Sequence, residues 1–255
     1  EAARVLEARS TLVDEIVLEA WNEILSPYFS TGMALLAVGG YGRRELFPNS
    51  DIDLLLLVER APQGPGSRDA LSGFLRHIWD EGLRLSHSVH TPEECSELHL
   101  RNIELNISLL DLRFLTGDRT IFVRLADRMP RFLAAQRQDL IRHLTRLAKA
   151  KHASFQNTIH HLEPNIKETP GGLRDLHLIW WLGKLNDSQR GGSPMPDSLA
   201  APKAFIQQLR CFLHFGAQRD QNLLSFEAQE QFAEQPFHER RTPAEWMREY
   251  FRNAR

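Results

Sequence analysis

Strand-like and helix-like stretches alternate up to about residue 120, and helical patterns alone follow to the end. The chain therefore predicts an α/β domain, a small mixed sheet flanked by helices, followed by an all-helical subdomain. Three observations carry this. Met33 to Val38 and Asp51 to Val58 are short apolar runs bounded by turn residues. Leu83 to His90 alternates as a strand. From Phe132 onward the apolar residues fall at helical spacing. The expected boundaries are 1–30 for an N-terminal helix, 31–120 for the α/β domain and 121–255 for the helical subdomain.

Taken in order, residues 1–25 read as an amphipathic helix, with Val5, Leu6, Leu12, Val13, Ile16, Val17, Ala20 and Leu25 near helical spacing and Pro27 ending it. Ala61 to Ser67, rich in Pro and Gly, reads as a connection before a helix over 69–81. Thr91-Pro92-Glu93-Glu94 has the form of a helix start, with a Thr cap, Pro at the first position and acids in the first turn. That helix is expected to run toward Leu110, with a short strand over 111–115. A long helix is expected over 132–161, then a loop at 163–172, a helix over 173–185, and an exposed connection over 186–200. Further helices are expected at 202–216, 226–234 and 243–253. Trp180-Trp181 reads as helix-packing core.

Composition sets bounds. At 255 residues, 42% apolar and 25% charged, the chain is ordinary for a globular protein. A formal charge of −2 leaves no polybasic footprint, which disfavours duplex nucleic acid as the main partner. The two cysteines, Cys95 and Cys211, offer neither a disulfide framework nor metal-ligand spacing. No apolar run approaches the roughly 20 residues that cross a bilayer, and no signal-peptide pattern opens the chain. The expected setting is cytoplasmic, without a membrane. The absence of an initial Met, and a last segment inside a helical pattern, suggest a fragment of a longer protein.

The candidate chemistry lies in Val38-Gly39-Gly40-Tyr41-Gly42-Arg43-Arg44-Glu45-Leu46-Phe47-Pro48-Asn49-Ser50-Asp51-Ile52-Asp53. In a strand opening at Asp51, Ile52, Leu54, Leu56 and Val58 share one face, and Asp51, Asp53, Leu55 and Leu57 the other. Two carboxylates on one face of a covered strand repel each other. A divalent cation is the simplest remedy, and hard oxygen ligands suit Mg²⁺. Glycines free the backbone to approach phosphate oxygens closely. Metal and triphosphate binding is the expectation from these residues alone.

Gly-Gly, a spacer and Asp-x-Asp on a strand resemble the signature of the nucleotidyltransferase fold of the DNA polymerase β superfamily. More narrowly, Gly39-Gly40-Tyr41-Gly42-Arg43-Arg44-Glu45-Leu46 with Ser50-Asp51-Ile52-Asp53 resembles the protein-PII uridylyltransferase family, the bifunctional uridylyltransferase/uridylyl-removing enzymes. Trp79-Asp80-Glu81-Gly82-Leu83 with His87-Ser88-Val89-His90-Thr91 is similar to that family's third strand. Asn165-Ile166-Lys167-Glu168-Thr169-Pro170-Gly171-Gly172-Leu173-Arg174-Asp175 is a long and distinctive match. Leu209-Arg210, Leu213-His214, Arg219, Leu223-Leu224, Phe226-Glu227 and Gln229 resemble its later helical segment.

The resemblance implies a metal-dependent nucleotidyltransferase that moves UMP from UTP to a tyrosine of the PII nitrogen-regulatory protein, releasing diphosphate. Asp51 and Asp53 would be catalytic and would hold Mg²⁺. Gly39, Gly40, Gly42 and Ser50 would hold phosphates, with Arg43 nearby. The loop around Lys167 and Arg174 reads either as a sharp chain reversal or as a cover whose cations neutralise triphosphate charge. Three departures stand out. Arg44 occupies a position where the family usually has Gly, and solvent exposure is the expected fate of its side chain. The third strand offers Ser86, His87 and Ser88 where the wider superfamily often has a third carboxylate, leaving Asp80, Glu93 and Asp111 as candidates by chain proximity only. No His-Asp dipeptide marks the phosphohydrolase domain of that family, so uridylyl removal is not expected of these residues. Another acceptor, or a catalytically silent nucleotide-binding module, stays open.

Overall fold

Leu6, Ser10, Val13, Val17 and Ala20 recur at three- and four-residue spacing and form the buried stripe of α1 (Ala2–Ala20). In the computed structural model, which describes residues 2–60, 64–98, 103–186, 195–235 and 242–255, α1 passes through one wide π turn, Trp21–Leu25, before β1 (Met33–Ala37). Then come α2 (Gly39–Gly42), β2 (Ile52–Val58), α3 (Pro65–Asp80), β3 (Leu85–His90), α4 (Pro92–Cys95) and α5 (Ile103–Ser108). A 3₁₀ turn at Leu109–Asp111, β4 (Arg113–Gly117) and α6 (Arg119–Ser154) follow. The chain divides into two units: Arg4–Leu46 with Ser50–Leu140, and Phe47–Asn49 with Ile141–Arg255 and Glu1–Ala3.

The first unit is built on a four-stranded mixed sheet of order β3-β2-β1-β4. β1 runs antiparallel to both β2 and β4, while β2 and β3 are parallel. The parallel pair needs a crossover, and α3 provides it. Both faces of β2 are covered, as its unbroken apolar run implies. Ile52, Leu54, Leu56 and Val58 join Val13, Val17 and Trp21 and the α3 residues Phe74 and Ile78 on one side. Leu55 and Leu57 join Leu105, Ile121, Leu125 and Phe132 on the other. This is why the unit takes in α1 and extends to Leu140 rather than stopping near residue 120: both ends of that stretch supply the sheet's cover.

Several expectations are corrected. Asp51 lies just before β2, not in it. The glycine stretch forms one helical turn. The capping box at Thr91 is present, with Thr91 Oγ1 accepting the Glu94 N–H at 3.2 Å. That helix ends after four residues, and the Ser96 hydroxyl bonds back to the carbonyls of Pro92 and Glu93 at its end. The expected course through residues 99–102 lies outside the described residues. The long helix begins at Arg119, capped by Asp118 Oδ1 accepting the Thr120 N–H at 2.9 Å, and carries Pro130 in its interior. Packing of Ile121, Leu125, Met129 and Phe132 offsets the break that Pro130 would otherwise impose. It stops at Ser154, before the left-handed Gln156 and Asn157.

The second unit holds α7 (Leu173–Asn186), α8 (Ala200–Ala217), α9 (Phe226–Ala233) and α10 (Pro243–Asn253). Its core gathers Ile166, Leu209, Leu213, Leu224, Phe232, Trp246 and Tyr250. A single bridge, Asn165 to Leu223, ties the loop before α7 to the segment before α9. Trp180 and Trp181 are only half-buried, and Lys184 Nζ stands 4.9 Å from the centre of the Trp180 ring, so this pair is not core. Part of the expected connection, 187–194, lies outside the described residues. Among the described residues, no helix is long and apolar enough to cross a membrane.

Candidate active site

β1 ends at Ala37, and the chain turns at once because Gly39 adopts φ +58°. That left-handed conformation costs glycine nothing. Val38 N–H donates to the Asp53 carbonyl at 3.1 Å, which sets the turn against the head of β2. A Cβ on Gly39 would stand 3.1 Å from Asp53 Oδ2, so the bare Cα borders the carboxylate directly. Gly40 differs: a Cβ there would make only an ordinary contact, at 3.5 Å from the Glu45 carbonyl. Packing does not require a glycine at position 40. Gly42 is required by packing, since a Cβ would fall 1.7 Å from the Asp111 carbonyl oxygen. Its glycine serves the approach of α2 to the 3₁₀ turn.

Arg43 is anchored in the same junction. Its guanidinium, 8% exposed, pairs with the fully buried carboxylate of Asp111 and with Glu45 at 3.0 Å. The two carboxylates outweigh the burial that opposes its charge and raise its pKa. Arg43 therefore holds the turn together beside the glycines. Asp111 takes a structural place for the same reason, and Glu93 pairs with Arg128 at 2.7 Å. Arg44 adopts φ +58°, the left-handed conformation that suits a glycine. Its side chain is 40% exposed and reaches Asp14 at 3.5 Å and Thr11 at 3.3 Å.

Ser50 is half-buried, Asp51 exposed and Asp53 half-buried. Asp51 Oδ1 meets Arg84 Nε at 2.8 Å, an exposed pair of the kind that contributes little to stability. Asp53 lies in register with Ser86 of β3, so the neighbouring strand offers a hydroxyl and no carboxylate beside it. Among the described residues, no three or more His, Cys, Asp or Glu side chains converge as a metal site. Two carboxylates still fit Mg²⁺, which keeps several waters and is commonly held by one or two carboxylates plus substrate phosphates. Gly39 brings bare backbone up against the Asp53 carboxylate, so no side chain from that turn covers it.

Lys167 and Arg174 belong to the second unit, on a tightly folded loop. Asn165 Oδ1 accepts the N–H groups of Lys167 and Glu168 at 3.1 and 3.0 Å. Gly171, at φ +77°, lies against Ala254, where a Cβ would fall 1.9 Å from the carbonyl oxygen. A Cβ on Gly172 would meet the Ile166 carbonyl at 2.8 Å. Asp175 accepts the Gly171 N–H at 2.7 Å and contacts His152 Nε2 at 2.8 Å. The glycines of this motif are thus set by packing. Arg174 N–H donates to the Lys167 carbonyl at 3.0 Å, which brings the two cationic residues together. Burial, with Arg210 and Arg174 nearby, lowers the Lys167 pKa despite Asp220 at 3.8 Å. A cation so placed gains from an added anion. Arg210 lies over the Phe47 ring and His214 bonds Asn49; in the sequence these two stand only within the segment that resembles the family's later helices, with no role attached.

A mixed sheet with helices on both faces, and a glycine turn set against one of two aspartates at a strand head, is consistent with an α/β domain of nucleotidyltransferase type. The chain is similar to the PII-uridylyltransferase family. The family model described as GlnD PII-uridylyltransferase matches residues 132–193 and 195–255. The bifunctional uridylyltransferase/uridylyl-removing enzyme of Nitrosospira multiformis is 36% identical over 277 aligned residues, covering 99% of this chain and 30% of its own length. Those of Pseudomonas entomophila and Haemophilus influenzae (strain PittEE) are each 34% identical, covering 99% and 88% of this chain and 29% and 27% of theirs. The chain spans under a third of the length of these curated relatives.

Proposed function

We propose that this chain carries the uridylyl-transfer centre of that family, moving UMP from UTP to a tyrosine hydroxyl of a PII-type regulatory protein. The observation that carries the reading is the approach of Gly39 to the Asp53 carboxylate at the head of β2, with Asp51 two residues before. Gly40 adds to it, because the fold places no packing demand on a glycine there. The tyrosine oxygen forms a bond to the α-phosphorus of UTP, and the bond from that phosphorus to the β-phosphate bridge breaks. The products are the uridylylated tyrosine, diphosphate and a proton.

Asp51 and Asp53 are the groups that would hold Mg²⁺, which when bound supplies charge neutralisation at the phosphate oxygens. Gly39 and Gly40 leave the backbone open to those oxygens, and Ser50 stands beside Asp51 as a hydroxyl donor. Gly42 and Arg43 keep this turn in place from behind through Asp111 and Glu45. Lys167 and Arg174, joined through the Arg174 backbone N–H to the Lys167 carbonyl, are proposed as an anion-binding pair of the second unit. Chemistry of this kind rests on positioning and charge neutralisation. The removing activity in the relatives' name is not attributed to these residues. Incubation of the full-length protein with each α-labelled nucleoside triphosphate, Mg²⁺ and a PII protein tests the reading. Label from UTP alone, on a PII tyrosine, is expected. Equal labelling from every nucleotide, or label on another acceptor only, would overturn it.

A further inference from the structure

Phe47, Pro48 and Asn49 lead directly into Ser50 and Asp51, and they pack within the second unit. Phe47 is buried, with the Arg210 guanidinium 4.1 Å from its ring centre. His214, from α8 and fully buried, accepts the Asn49 backbone N–H on Nδ1 at 3.2 Å, and its carbonyl accepts the Asn49 side-chain amide at 2.9 Å. A backbone N–H can only donate, so Nδ1 carries a lone pair and the ring hydrogen sits on Nε2. Nε2 lies 3.0 Å from Asp220 Oδ1, off the line of an ideal hydrogen bond. Asp220 also takes Arg210 Nη2 at 3.0 Å, and Arg210 Nε donates to Asn222 Oδ1 at 2.7 Å. A buried histidine is thus oriented by a carboxylate on one side and spends its other nitrogen on one backbone amide.

We propose that His214 is a positioning residue for uridylyl transfer: it fixes the backbone at Asn49 and so sets where the chain enters Ser50 and Asp51. This rests on the reading of Asp51 and Asp53 given above. Partners that orient a metal-binding carboxylate from behind commonly change affinity or rate by about ten- to a hundredfold when removed. The clamp has the same form, acting through two residues of backbone.

The test uses the full-length protein and two substitutions. His214→Leu removes the acceptor. His214→Asn retains one, because Asn Oδ1 occupies the place of the ring's Nδ1. Three quantities are read: protection of the Asn49 amide by hydrogen exchange, the affinity for Mn²⁺ without nucleotide by electron paramagnetic resonance, and kcat and KM for labelling of a PII protein from UTP. The wild-type amide should be protected. His214→Leu should lose that protection and about tenfold or more in Mn²⁺ affinity and kcat, with KM for the PII protein little changed. His214→Asn should recover most of each. Should His214→Leu fail to fold, Asn49→Ala, which deletes the second bond of the clamp, is expected to lower kcat severalfold with wild-type KM. An unprotected wild-type Asn49 amide would overturn the proposal. So would a His214→Asn variant as impaired as His214→Leu, or Asn49→Ala with wild-type kcat. A wild-type protein that labels no PII protein overturns the functional reading instead, while amide protection and Mn²⁺ affinity still decide the role of His214.

Discussion

Replacing Gly39 by alanine separates the backbone cost of its turn from its closeness to Asp53. At φ +58°, a side chain costs about 1 to 2 kcal/mol. The stiffer unfolded chain returns about 0.4 to 1 kcal/mol. A net loss of about 1 kcal/mol in stability is expected. The new Cβ also stands 3.1 Å from Asp53 Oδ2, so the carboxylate must give by a few tenths of an ångström. Since a misplacement near 1 Å can cost about a hundredfold in rate, a shift of this size should cost about tenfold in kcat. Gly32→Ala is the control. Gly32 has φ +79°, and its Cβ would meet nothing nearer than Glu59 at 4.0 Å, so the backbone cost recurs without the carboxylate. Urea unfolding and uridylyl transfer on both variants check this. Equal loss of kcat in the two, or an unaltered kcat in Gly39→Ala, would refute the reasoning.

Other expectations follow from the same geometry. Asp111→Ala removes the buried carboxylate that pairs with the Arg43 guanidinium and should cost about 3 kcal/mol or more in urea unfolding. Arg44→Gly should leave stability equal to the wild type or above it, because relief at φ +58° offsets the loss of an exposed contact to Asp14. Arg44→Val, a β-branched residue at that φ, should be less stable by about 1 kcal/mol or more. Asp220 is held far below the carboxylate range by the His214 contact, with Arg210, Lys167 and Asn222 adding to it against burial. A depressed folded pKa supplies stability above the unfolded value and loses it as pH falls, so Asp220→Asn should be the less stable at pH 7. The gap between the two proteins should close as pH falls below about 4.

The sheet's central strand was legible because period-two alternation and an unbroken apolar run both point to a strand covered on two faces. Leu54 to Val58 fill those faces as the sequence implies. The glycine turn and its aspartates were legible as a motif, but not the division of labour within them. Gly42 and Arg43 look like phosphate ligands in sequence, and only the approach of Asp111 shows them bracing the turn. Boundaries failed where a tertiary contact outweighed a local signal. The apolar spacing reads as a helix from Phe132, yet the sheet-facing stripe Ile121, Leu125, Met129 and Phe132 starts it at Arg119 and carries it through Pro130. The Thr91 cap reads as the start of a long helix, yet the helix it opens closes at Cys95 after one turn. The role of His214 has no local signature, since Asn49 and His214 lie 165 residues apart.

The most direct measurement is transfer of label from α-labelled UTP to a PII tyrosine by Asp51→Asn and Asp53→Asn, with unfolding followed in the same samples. Asp51 contributes only an exposed pair with Arg84, and Asp53 is half-buried at the head of β2. Both variants should fold with near wild-type stability and transfer no detectable label. A folded Asp51→Asn or Asp53→Asn protein that still uridylylates at the wild-type rate would contradict the assignment of the centre to this carboxylate pair.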